Sequence, residues 1–178
     1  MVGKKSTLEA LTKKTEFANS VNVFCAYEEI RYIDREKIGK NTDMIDAYKV
    51  FTSKGNGGAG IINAEKAVAI LGKTYIGTPN TICTDSLIPI GPFESEEEVC
   101  NLKKYMTGKF FRFMVGILKT SQNITQTVYE FVPLQNFTTA SDIDWSKSIV
   151  EIDQQLYKKY GLTEEEISFI EERIKPME

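Results

Sequence analysis

The chain contains no histidine. That removes Ser-His-Asp and Cys-His nucleophile schemes, HExxH metal sites and the commonest general base. Catalysis here would have to rest on carboxylates, lysine, tyrosine or cysteine. Cysteine is scarce as well: Cys25, Cys83 and Cys100 are an odd number, widely spaced, with no CxxC pair. Such usage predicts free thiols in a reducing compartment, by default the cytoplasm, in place of a disulfide framework or zinc site. No apolar run approaches the roughly 20 residues that span a bilayer, so no membrane partner is expected. The start, "MVGKKSTLEALTKK", is basic but lacks the apolar core and small-residue cleavage site of a secretory signal. Internal repeats, low-complexity tracts and long Pro/Gly/Ser linkers are also missing. So are the P-loop pattern GxxxxGK[ST] and the Pro-Asp with acid-x-Lys of a restriction-type nuclease core.

What remains has the make-up of a soluble globular domain: 178 residues, 42% hydrophobic and 26% charged. The net charge of −3 hides an uneven distribution. Residues 99–129 hold Lys103, Lys104, Lys109, Arg112 and Lys119 and no acid, whereas residues 130–178 hold 5 bases against 11 acids. A basic centre thus precedes an acidic tail.

The pattern predicts an α+β fold: a mixed or antiparallel β body crossed by one long amphipathic helix, with a C-terminal helical hairpin. "VNVFCAY" (21–27) and "AYKVFTS" (47–53) read as strands, with "IDREKIGKNTDMID" a turn-rich connection between them. "KTYIGTPNTICTDSLIPIGPF" (73–93) reads as short strands broken at "GTPN", the second ended by Gly91 and Pro92. A helix over 95–120 is predicted by the Ser95/Glu98 capping box and the stripe Val99, Leu102, Met106, Phe110, Phe113, Ile117. Lys104, Arg112 and Lys119 fall on its other side, as do Phe111 and Val115, so something besides the main core should cover it. "TVYEFVP" (127–133) reads as a returning strand. In the tail, Ile149, Ile152 and Leu156 line one helix with Gly161 past its end. Thr163 and Glu166 cap a second, with Leu162 and Ile167 as a staple and Pro176 beyond. The expected division is a body over 1–140 and a tail over 141–178 packed on it, one domain overall.

Two patterns carry little chemistry. Gly55-Asn-Gly57-Gly-Ala-Gly60 satisfies GxGxxG, but the preceding strand contains Lys49 and no suitably placed acid follows, so it reads as a surface loop. The glutamate runs 96–98 and 164–166 sit in helix first turns, where capping and the dipole explain them. The basic centre says more. Lys104, Arg112 and Lys119, followed by Thr120, Ser121, Gln122, Asn123, Thr125 and Gln126, offer cations for phosphates and then amides and hydroxyls for base edges. Lys54 and Asn56 in the glycine loop form a second finger of that type. The bland reading is that the cations are a solvated helix face and that the amides only shape a turn.

Three phrases, "YIDREKIGKNTDMIDAYKVFTSK" (32–54), "LGKTYIGTPNTICTDSLIPIGPFESEEEVCNLKKYMTGKFFRFMVGILKTSQNITQTVYEFVPLQNF" (71–137) and "DIDWSKSIVEIDQQLYKKYGLTEEEISFIEERIKPM" (142–177), add a resemblance. Together they resemble the C-terminal target-recognition region of type IIG restriction–modification enzymes, which fuse a nuclease, an adenine-N6 methyltransferase and a DNA specificity domain. They cover roughly three quarters of the chain, in order, while residues 1–30 depart from the pattern.

The resemblance implies a non-catalytic module that recognises duplex DNA and positions methyltransferase and nuclease domains not present here. No NPPY-type motif, glycine-rich S-adenosylmethionine loop or nuclease motif occurs. S-adenosylmethionine and magnesium are therefore expected only in those other domains, and no cofactor in this chain. On this reading Lys54, Lys104, Lys109, Arg112 and Lys119 contact phosphates, and Asn56, Gln122, Asn123 and Gln126 read bases in the major groove. One alternative is a subunit that docks a methyltransferase through Phe111 and Val115. The other is a metal-dependent nuclease using dispersed carboxylates.

Overall fold

The computed structural model describes residues 12–25, 30–54, 62, 66–119 and 126–177. Its architecture is α+β, with two three-stranded sheets and five α-helices among these residues.

The first sheet has the order β2-β1-β5, from β1 (Ser20–Phe24), β2 (Ile30–Asp34) and β5 (Thr81–Cys83). β1 runs antiparallel to β2 and parallel to β5, so this sheet is mixed. The second sheet is antiparallel with the order β4-β3-β6, from β3 (Tyr48–Ser53), β4 (Thr74–Gly77) and β6 (Leu87–Phe93).

The period-2 alternation of β3 separates two cores. Phe51 faces the first sheet, where it stacks on Phe24 at 5.7 Å and packs with Cys83, Leu87 and Tyr75. Val50, on the other face, joins Ile76, Ile88 and Ile90 against the helices. Sheet, sheet and helices thus form three layers.

The single helix expected over 95–120 is two: α1 (Glu96–Thr107) and α2 (Lys109–Leu118). The Ser95/Glu98 capping box is present. Gly108 is extended at ψ 155° and closes α1 by donating to the carbonyls of Lys104 and Tyr105. The Asp153 carboxylate then accepts the N–H groups of Lys109 and Phe110, giving α2 the cap that its own sequence lacks. A Cβ on residue 108 would lie 2.6 Å from Asp153 Oδ1, so any side chain there would push the capping carboxylate aside.

Other expectations change in detail. "TVYEFVP" is not a strand: Gln126–Tyr129 form the short helix α3, and Val132 N–H donates to Tyr129 C=O in the turn beyond. Local bonding there lets Val128 and Tyr129 pack on the helical core, with the Tyr129 ring 6.1 Å from Phe111. Residues 73–93 hold three strands, and β6 runs through Gly91 and Pro92 to Phe93 instead of ending at them. The edge position of β6 tolerates Pro89 and Pro92, neither of which can donate to a further strand. β2 begins ahead of the turn-rich connection, which itself contains two 3₁₀ turns, Arg35–Lys37 and Thr42–Met44.

The tail forms the expected hairpin, α4 (Ile149–Lys159) and α5 (Glu164–Arg173). Gly161, at φ +66°, makes a Schellman end: its N–H donates to Lys158 C=O and that of Leu162 to Tyr157 C=O. The Thr163/Glu166 capping box follows. The hairpin packs on α1 and α2, and Ile174 pairs with Val68 beyond it. Trp145 is buried with Tyr105 and Phe137, so tail and body share one hydrophobic core.

Candidate nucleic-acid interface

The basic centre behaves differently from a solvated cationic face. Arg112, 1% exposed, donates through Nε to the Thr107 and Gly108 carbonyls and through Nη1 to those of Ala69 and Lys175. Lys119, 2% exposed, donates to Ile70 C=O at 3.1 Å. The expectation that both project outward as phosphate ligands is corrected. Residues 66–71 cover this side of α2, and Phe111 and Val115 are buried with them. Burial lowers the Arg112 pKa to about 10 and depresses that of Lys119 as well.

Lys109 is half-buried; its ammonium bonds to the Glu171 carboxylate and, at 2.8 Å, to the Glu171 backbone carbonyl. Lys104 donates to Trp145 C=O at 2.6 Å. Four of the five proposed phosphate ligands therefore serve as clamps on backbone carbonyls, joining the helices to the tail and to residues 69–70. The burial of Phe111 and Val115 also removes the residues through which partner docking was expected.

Two clamping residues escaped the sequence reading. Lys49, 1% exposed within β3, donates to the carbonyls of Met44, Ile45 and Ala47 at 2.7–2.9 Å. Desolvation lowers its pKa to about 8. Asp153, the cap of α2, has its pKa raised, since burial outweighs its two N–H donors and nearby Arg112. Each showed a signal: a charge among the apolar residues of a strand, and a carboxylate on the Ile152–Leu156–Tyr157 face of α4.

Lys54, the fifth proposed phosphate ligand, borders one open cleft of about 850 Å³. Its walls are Ile88–Gly91 of the β6 edge, Leu102 and Tyr105 of α1, Phe111 of α2, and residues 132–134 with Phe137. Tyr105 fixes the far wall by donating from its hydroxyl to Pro133 C=O at 2.8 Å. Asn41 and Asp43 bring polar groups to the rim. Lys54, half-buried with its N–H on Ser86 C=O, lines the cleft at the point where the glycine loop begins. Tyr129, at the end of α3, lines it too. Its hydroxyl is buried beside that of Thr52, neither completes a hydrogen bond of good geometry, and burial pushes the Tyr129 pKa up to about 12.

Asn56, Gln122 and Asn123 lie outside the described residues. Gln126 opens α3, and its side chain is likewise not described. Among the described residues no group of three His, Cys, Asp or Glu side chains could hold a metal ion, and no helix is long and apolar enough to cross a membrane. All three cysteines are free thiols.

No protein-family model, curated protein or solved structure matches this chain.

Proposed function

We propose that this chain is a sequence-specific recognition module for duplex DNA, positioning methyltransferase and nuclease activities carried elsewhere. One observation supports the reading. Lys54, at the start of the first segment whose composition suits nucleic-acid contact (54–60), and Tyr129, three residues past the end of the second (119–126), line one and the same cleft. In this arrangement Lys54 meets a phosphate, and Asn56, Gln122, Asn123 and Gln126 supply the amide groups that read base edges. The carbonyl clamps, Arg112 and Lys119 above all, hold the frame on which those segments are displayed. Free thiols suit a cytoplasmic setting.

The test is duplex binding by fluorescence anisotropy across a salt series, for the chain and for Lys54→Ala. Binding should weaken with salt, and the variant should reduce the slope of log affinity against log salt by about one. A chain that binds no duplex at low salt would sink the proposal.

A further inference from the structure

A second concave surface lies away from the cleft, between α2 and the tail helix α5. It is a groove of about 380 Å³ with Phe110 and Ile170 as its floor and Phe113, Met114, Leu162 and Phe169 along its sides. Phe113 meets Phe169 edge-on at 6.1 Å. Phe169 is 42% exposed, and one turn past Phe113 on α2, Ile117 is 55% exposed. Side chains of this size left half in water form an apolar strip of the kind that another element covers. Two helices side by side present ridges and a groove that accept a third helix along their length.

The charge at the rim selects the occupant. Glu165 and Glu166 are the charged residues lining the groove, and among the described residues neither makes an ion pair. Arg173 lies over the Phe169 ring at 5.6 Å and pairs with Glu172; the Glu166 carboxylate accepts the Thr163 N–H and hydroxyl of the capping box, but among the described residues no cation balances either rim glutamate. Lys109 is held by Glu171.

We propose that the α2–α5 groove docks an amphipathic helix of a partner protein, with large apolar anchors flanked by lysine or arginine. An acidic or neutral helix would leave the two carboxylates desolvated without a counter-charge, whereas a basic one pairs with them while its anchors cover Phe113 and Phe169.

The experiment is selection from a phage-displayed library of helical peptides against the full chain, followed by affinity measurement. Enriched peptides should carry apolar residues at i, i+3 or i+4, and i+7, with Lys or Arg beside them. Phe169→Ala and, separately, Glu165→Lys should each weaken them by about tenfold. Both positions are exposed enough for the fold to survive, which a urea titration checks. Four results would overturn the proposal: no enrichment, enrichment of acidic or uncharged helices, insensitivity to both substitutions, or self-association abolished by Phe169→Ala. The last would give the groove to a second copy of this chain. Duplex binding followed in the same variants should not change, which keeps this test separate from that of DNA recognition.

Discussion

The Asp153 carboxylate accepts the backbone N–H of Phe110 at 3.0 Å, so a residue of the tail caps a helix of the body. Its other oxygen takes the N–H of Lys109 at 2.8 Å. Asp153→Ala should therefore cost about 1–2 kcal/mol of unfolding free energy, the usual loss when a cap is removed. Gly108→Ala should be destabilising as well, since its Cβ would collide with Asp153 Oδ1 even though the backbone angles there suit any residue. Urea titration checks both, and a Gly108→Ala variant as stable as the parent would contradict the steric argument.

Arg112 should matter for folding and not for salt dependence. Removing its guanidinium takes the side-chain donor from the Thr107 and Lys175 carbonyls, and a second donor from those of Gly108 and Ala69, which keep backbone N–H partners. Arg112→Ala should cost about 3 kcal/mol or more. Variant that remains folded at low temperature should keep the salt slope of duplex binding. A smaller slope with unchanged stability would restore Arg112 as a phosphate ligand.

Lys49 makes a prediction about pH. Its pKa in the fold, about 8, lies below the ordinary 10.5. Between those values the unfolded chain holds a proton that the folded chain has released, so folding stability rises with pH through this window. Below about pH 8 both states are protonated and the full burial penalty applies. Relative to a Lys49→Met variant, the urea midpoint of the parent should climb from pH 8 to 10. Parallel profiles for the two proteins would show that Lys49 keeps an ordinary pKa.

Trp145 reports on the sharing of the core. It is the sole tryptophan, buried against Tyr105 and Phe137, with its Nε1–H donating to Asn136 C=O at 2.9 Å. Its fluorescence and the far-ultraviolet dichroism should change at one urea midpoint. Two separated midpoints would show that the tail melts apart from the body.

The helix ends were legible before the structure. Ser95/Glu98, Thr163/Glu166 and Gly161 act locally, through hydrogen bonds within a few residues of one another, and each is found where its sequence signal stood. The break at Gly108 was not legible, because its cause is Asp153, more than forty residues away. Likewise, helical periodicity placed Arg112 and Lys119 opposite the main apolar stripe, but could not say that residues 66–71 would cover that side and fill it with carbonyls. A cation among aromatic neighbours, as in "FFRF", marked burial more than it marked solvent. Of the candidate site, the pairing of segments 54–60 and 119–126 was proposed from composition, while the cleft that Lys54 and Tyr129 line required the fold.

The most direct test of DNA recognition is selection of bound duplexes from a random pool by the full chain, at two salt concentrations, repeated with Gln122→Ala. One sequence motif should be enriched and should survive the higher salt, and the variant should relax it at a single base pair. Binding that enriches no motif and vanishes with salt, or no binding at either salt, would contradict a base-reading role.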